Sequence, residues 1–215
     1  MLNIPDLMRF PLRSWDACAH TATVFPSSIP HIRAIDMPPH APLPMIDALR
    51  AAEITEVLVV SGDPPHGTNR IAYSQSSIDV IRRFKAEHPH IRVYAGLDPY
   101  RQDFRNEREY ISRKLYAGAD GFFTQPFFDR RLLEIYADLL ENEIVFWGIT
   151  PVISRGARAY WETTNKAIFP RGFEPTMEWN RAFARDTLRL IGDMNSNAYL
   201  MPIRVDLATY LEGLR

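Results

Sequence analysis

The stretch Val57-Leu58-Val59-Val60-Ser61-Gly62-Asp63-Pro64-Pro65 decides the fold. Four apolar, mostly β-branched residues make a strand, and the Ser-Gly-Asp-Pro-Pro that follows stops it. Working outward, the same grammar repeats. Strands are expected at His31–Asp36, Glu56–Val60, Ile91–Gly96, Gly121–Thr124, Ile144–Ile149 and Ala198–Met201. Between them the apolar period lengthens to that of a helix: Leu43–Ala52, Ser76–Glu87 with Ile78, Ile81 and Phe84 on one face, Asp103–Tyr116, Arg131–Leu140, Ser154–Asn165, Thr176–Asp193 and Val205–Leu214. Strand–helix alternation at this pitch means parallel strands joined by right-handed crossovers. Two architectures fit: a (β/α) barrel and an open doubly wound sheet. No G-x-G-x-x-G follows any strand, so a dinucleotide-binding sheet gains no support. Asp63, Asp98, Gln125, Thr150 and Pro202 stand just past strand C-termini, where both architectures place their sites.

Length narrows the choice. The chain has 215 residues, read as a single domain over 1–215 with an atypical segment at 1–30. The first 30 residues have room for one more strand, around Ala22–Phe25. A complete eight-stranded barrel needs about 200–250 residues. The expectation is a parallel (β/α) TIM-type barrel shortened at its N-terminus, incomplete or closed with fewer strands than usual.

Composition excludes several classes. Lys+Arg number 25 and Asp+Glu 26, interspersed, which argues against nucleic acid or an anionic membrane as partner. No apolar run approaches the ~18 residues of a membrane span. Met1–Arg13 lacks the apolar core of a secretory signal, and Cys18 has no second cysteine to pair with, so the cytoplasm is the expected compartment. Lys85, Lys114 and Lys166 are the only lysines and none falls on an expected strand, which disfavours a Schiff-base aldolase. His31, His66, Asp36 and Asp63 have no spacing that demands a metal, and none is expected.

The residues at the strand ends have chemistry of their own. Gly62 admits close approach of a ligand to the backbone before the Asp63 carboxylate, or serves an ordinary turn that Asp63 caps. Gln125, in Thr124-Gln125-Pro126-Phe127-Phe128-Asp129, offers a donor and an acceptor to a heteroaromatic ring, while Asp129 stands where a helix is capped. Arg113 and Lys114 close a helix before Gly118, which suits the helix terminus and also suits a phosphate.

Four stretches together resemble the methylenetetrahydrofolate reductase family: Ile29–Asp36, Val57–Pro65, Tyr110–Asp129 with Ala-Gly-Ala-Asp and Thr-Gln-Pro-Phe-Phe-Asp, and Gly148-Ile149-Thr150-Pro151-Val152. The resemblance runs from Ile29 to the C-terminus. It implies a barrel carrying FAD, in preference to FMN, across the strand C-termini. A folate stacks on the flavin, and hydride comes from NADH or NADPH to convert 5,10-methylenetetrahydrofolate to 5-methyltetrahydrofolate, or the reverse. Carried over by position, Asp63 faces the flavin and the pterin, Gln125 bonds the pterin, and Thr150 lies by the substrate. His31, Ser61, Gly62, Tyr73, Ser74, Tyr94 and Gly96 line the flavin, and Glu107 and Lys114 reach its ribose or phosphates. The family's N-terminal Glu, its general acid, has no counterpart, since the first 30 residues contain no Glu. Asp36 is the candidate substitute.

Three readings follow. The first is a flavin-dependent reductase of this type. The second is a non-redox folate-binding barrel or a subunit completed by a partner. The third is an unrelated barrel enzyme such as a lyase. Flavin absorbance of the purified protein separates the first from the others. Independently of these, an unclosed parallel sheet exposes edge hydrogen-bonding groups, so a homo-oligomer or a covering segment is expected.

Overall fold

The computed structural model describes residues 1–22, 24–25, 27–64, 71–212 and 214. His66 and Pro65 lie outside the described residues, as does Thr23 in the stretch Ala22–Phe25. The chain forms two compact units, one of 1–96 with 110–121 and one of 97–109 with 122–215.

The first unit holds strands β1 (Leu2–Ile4), β2 (Ser28–Arg33), β3 (Glu56–Val60) and β4 (Arg92–Leu97). β1 pairs with β2, β2 with β3 and β3 with β4, all parallel. Ile29, Ile32, Val57, Val59, Val93 and Ala95 are sealed from solvent, as strands covered on both faces require. Helix α1 (Ser14–Thr21) joins β1 to β2, α2 (Ile46–Ala51) joins β2 to β3, and α3 (Ser77–Glu87) joins β3 to β4. α3 begins in a capping box: the Asp79 amide donates to Ser76 Oγ at 3.2 Å, and the Ser76 amide donates to Asp79 Oδ2 at 3.0 Å. Its Ile78, Ile81 and Phe84 are buried on one face.

Helix α4 (Phe104–Tyr116) leads to β5 (Gly121–Thr124). In the second unit β6 (Val145–Ile149) pairs in parallel with β5 and with β7 (Asn197–Leu200). Helices α5 (Arg130–Leu139), α6 (Arg155–Thr164), α7 (Met177–Asp193) and α8 (Leu207–Leu211) are each capped at the start by a side chain, from Asp129, Ser154, Thr176 and Asp206 respectively. Tyr100, Phe128, Val152, Trp161, Ala167 and Phe173 form an aromatic core, with Phe169 stacked on Phe128 at 4.4 Å. Gly148 in β6 is a position of close approach: a Cβ there would stand 2.7 Å from Thr124 O and 3.1 Å from the Tyr199 hydroxyl, which itself donates to Thr124 O at 2.6 Å.

The strand order is β1 through β7, as in the sequence. That order removes the doubly wound alternative, in which the order reverses at a switch point. It also corrects the expected TIM-type barrel. β1 and β7 are the ends of the order, so the seven strands make an open α/β sheet with two edges. Among the described residues, the only strand before β2 is the three-residue β1, and there is no eighth strand to close the sheet. The additional strand is Leu2–Ile4, not Ala22–Phe25. Val24 and Phe25 both donate to Thr21 O, at 2.9 Å each, so they form the exit of α1.

Two substitutions test these elements by urea denaturation. Ser76→Ala is expected to cost about 1 kcal/mol with an unchanged m value. Gly148→Ala, which forces a methyl against a backbone oxygen, is expected to cost about 1–3 kcal/mol.

Candidate functional site

β1, β2 and β3 end in charged or turn-forming residues, and in the first unit these converge. Arg33 is the last residue of β2 and is 6% exposed. A guanidinium so placed must be answered by acceptors. Its Nε donates to Asp36 Oδ2 at 3.3 Å, and its Nη2 donates to the backbone oxygen of Asp63 at 2.6 Å and touches Met8 Sδ at 3.3 Å. Arg13, which precedes α1, donates through Nη2 to the same Asp36 oxygen at 2.9 Å. It also donates to Asp6 Oδ2 through Nη2 at 2.6 Å and Nε at 3.0 Å. The Arg13 guanidinium lies 4.4 Å from the Trp15 ring centroid, a cation–π contact. The Asp6 side chain has no exposed surface, and its Oδ1 has no hydrogen-bond partner among the described residues. The outcome is two arginines held by two aspartates in one network. Nη1 of Arg13 and Nη1 of Arg33 receive no partner from the described residues.

The loop after β3 completes this corner. Gly62 has φ of +83°, and a Cβ there would meet Ile35 Cγ1 at 3.1 Å and Arg33 Cβ at 3.2 Å. The chain's own side chains therefore require this glycine. Asp63 is exposed and Ser61 half-buried. The Tyr73 amide donates to Ile35 O at 2.7 Å, and Ser74 is exposed. Asp36, by contrast, is a partner of two guanidiniums with its side chain 6% exposed, which makes it a counter-ion within the network.

The other sequence-derived residues face inward. His31 is half-buried; its Nε2–H donates to Asn3 Oδ1, and its backbone oxygen accepts from Ser14 Oγ at 2.5 Å. Tyr94 is 2% exposed, and its hydroxyl reaches Glu56 Oε1, at the start of β3, at 2.9 Å. Lys114 is 3% exposed; its ammonium donates to Gly96 O at 2.7 Å and sits 3.9 Å from the Tyr110 ring centroid. In the second unit Glu107 is 1% exposed and accepts from Gln102 Nε2 at 2.7 Å. Thr150 is 5% exposed and donates to Met201 O at 2.7 Å. The Gln125 amide N–H donates to Leu97 O at 2.7 Å, while its side chain stays half-buried with no hydrogen-bond partner among the described residues.

A carrier for a dinucleotide needs its charged groups turned to the ligand. Lys114 and Glu107 are instead buried in internal bonds, so these residues do not fit FAD or FMN. Among the described residues no three or more His, Cys, Asp or Glu cluster as metal ligands, and no helix is long and apolar enough to cross a membrane.

A model of the methylenetetrahydrofolate reductase family matches residues 16–170. The chain belongs to that family. Its fold likeness leads elsewhere. Oxaloacetate acetylhydrolase in complex with the product oxalate matches with a TM-score of 0.51 and 14% identity, over 98% of this chain and 75% of that one. The same enzyme with the inhibitor 3,3-difluorooxalacetate matches with a TM-score of 0.50 and 13% identity, over 94% and 72%. A 2,3-dimethylmalate lyase, described as a PEP mutase/isocitrate lyase superfamily member, stands at 0.49 and 12%, over 94% and 70%. At such identities the likeness is one of fold. A search of curated proteins by sequence finds no match. Membership of the methylenetetrahydrofolate reductase family therefore does not bring the reductase with it, and the identification of this chain as a divergent reductase is overturned. The fold match that reaches a TM-score of 0.5 is to an oxaloacetate acetylhydrolase and not to a reductase, and Lys114 and Glu107 are buried in bonds to the chain itself. The expectations of a flavin-dependent oxidoreductase, of FAD or FMN, of NADH or NADPH and of folate, whether as substrate or as the ligand of a non-redox barrel, are withdrawn.

The sequence reading missed Arg13, Arg33 and Asp6. Arg33 was findable, since an arginine closing an apolar strand three residues before an aspartate asks for an ion pair. Asp6 and Arg13 lie among elements too short to show a period.

His31 gives the corner a pH dependence. Burial lowers its pKa from 6.5 to about 4. The unfolded chain therefore takes up the proton first as pH falls. The stabilisation is full above pH 6.5 and is lost as pH drops from 6.5 towards 4. The loss is expected to be on the order of 1–3 kcal/mol. Urea unfolding at pH 7 and pH 4.5 should show a smaller difference in His31→Gln than in the parent chain.

Proposed function

We propose that the arginine pair of the first unit binds the carboxylate of a small oxo- or dicarboxylic acid, and that the chain is a lyase acting on such a compound. The observation that carries this reading is the state of the two guanidiniums. Asp6 and Asp36 fix Arg13 and Arg33 in place and leave Nη1 of each without a partner among the described residues. A guanidinium edge matches a carboxylate in geometry and charge, and one already fixed loses little freedom on binding. The fold match lends support from outside: oxaloacetate acetylhydrolase, a protein of like fold, is known with oxalate and with 3,3-difluorooxalacetate bound. Asp63 is the proton acceptor in this reading. It is exposed, and its backbone oxygen is tied to Arg33 Nη2 at 2.6 Å, so the residue is anchored at the arginine pair. Cytoplasmic residence belongs to the same proposal, supported by a lone cysteine, Cys18, that is fully buried.

Calorimetric titration with oxalate and an assay of oxaloacetate consumption test the reading together. Oxalate is expected to bind the parent chain, and Arg33→Lys, which keeps the charge and loses the fork, to weaken it by about tenfold or more. Asp63→Asn is expected to keep oxalate binding and lose turnover. An absence of oxalate binding, or equal binding by a folded Arg33→Lys, would refute the site; binding without turnover in the parent chain would refute the lyase.

A further inference from the structure

The strand order ends at β1 and at β7, and these two edges are finished differently. On β1 the Leu2 amide donates to Ser27 O at 2.9 Å. Successive residues of a strand turn their backbone groups to opposite sides, so Asn3, and Pro5 just past the strand, face away from β2. Pro5 has no N–H to offer, and a proline on this side blunts an edge.

β7 has no such guard. Asn197-Ala198-Tyr199-Leu200 contains neither a charge nor a proline. The Met201 amide donates to Ile149 O at 2.8 Å, so Asn197, Tyr199 and Met201 turn their backbone groups to β6, while Ala198 and Leu200 turn theirs away. Among the described residues no strand lies on that outer side. Both residues are half-buried. A row of this kind is a template for pairing with another chain.

The pattern is complementary to itself. With a two-fold axis at Tyr199, an antiparallel second copy sets its Leu200 opposite Ala198 and its Ala198 opposite Leu200. Residues so placed exchange both N–H···O bonds, which uses every outward group of the two residues in each copy. Ala198 and Leu200 share one face of the sheet, so across the axis a small apolar side chain meets a large one. Ile203 extends the apolar character: it is 50% exposed and lies three residues beyond Leu200, no more than about 11 Å away by chain reach. A two-fold contact uses the same patch on both copies and closes with the pair, which removes the edge without building a fibre.

We propose that the chain forms a two-fold homodimer in which the β7 edges pair antiparallel about Tyr199, with Ala198 of each copy bonded to Leu200 of the other. The contact belongs to the second unit and does not rest on the arginine pair of the first. It is small beside the roughly 1,200–2,000 Å² of a stable complex, so the dimer exchanges with monomer as concentration changes.

Sedimentation velocity of the full chain across two decades of concentration, with residue-resolved amide exchange at both ends of that range, tests the pairing. Dimer is expected at the high end and monomer at the low end. The Ala198 and Leu200 amides are expected to be protected only at the high end, and the Met201 amide, bonded within the sheet, at both. Ala198→Pro removes an outward N–H and no bond to β6, and is expected to weaken the dimer by about tenfold or more, since each copy loses one bond. Ile203→Lys changes an exposed position, is expected to fold as the parent does, and brings two like charges to the contact, weakening it in the same direction. A parent chain that is monomeric throughout overturns the proposal. So does a dimer whose Ala198 and Leu200 amides exchange alike at both concentrations, or one that neither variant weakens. Protection of both amides in the monomer would mean that the chain covers this edge itself, and overturns it as well.

Discussion

A charge at the end of a buried strand constrains everything near it. Arg33 closes β2 at 6% exposure, and its guanidinium has to be surrounded by acceptors without unwinding the strand. The chain meets this demand from three directions. The turn after β2 brings Asp36, the loop after β3 brings the backbone oxygen of Asp63, and the segment after β1 brings Met8. Arg13 and Asp6 extend the same network to the start of α1. Removing one member of such a buried set leaves an uncompensated charge, which typically costs about 3–5 kcal/mol. The strand ends of the first unit are thus organised electrostatically, where the second unit relies on rings: Phe128, Phe169 and Phe173 pack on one another behind β5 and β6.

Most elements were legible because their causes are local. β3 and β5 fall on the residues expected, and α3 begins where Ser76 and Asp79 spell a capping box. Asp129 caps α5, so its plainer reading holds. What escaped notice was not local. β1 is three residues long, below the length at which alternation is visible, and it gains definition from pairing with β2. Closure of the sheet was likewise unreadable, because it depends on how many strands the first 30 residues supply, and no single stretch declares that.

The site was less legible than the fold. Lys114 and Glu107 look like ligand-facing charges in the sequence, and both are buried in bonds to the chain itself. Position along a helix does not reveal whether a charged side chain points to a ligand or to a carbonyl such as Gly96 O. Kinship has the same limit. A match over residues 16–170 records common descent, and descent preserves strand order more readily than the few contacts that hold a cofactor.

The Asp6–Arg13 pair has one more consequence. It joins the two ends of a six-residue excursion, Leu7 to Leu12, in which Leu7, Phe10 and Leu12 are exposed. With its base fastened, the excursion's length hardly matters to the fold, since each doubling of a flexible loop costs only about 0.6 kcal/mol. Met8, whose sulfur meets Arg33, is held to its place, but evolution, or a designer, is free to rewrite the exposed positions around it while the ion pair beneath them keeps the sheet as it is.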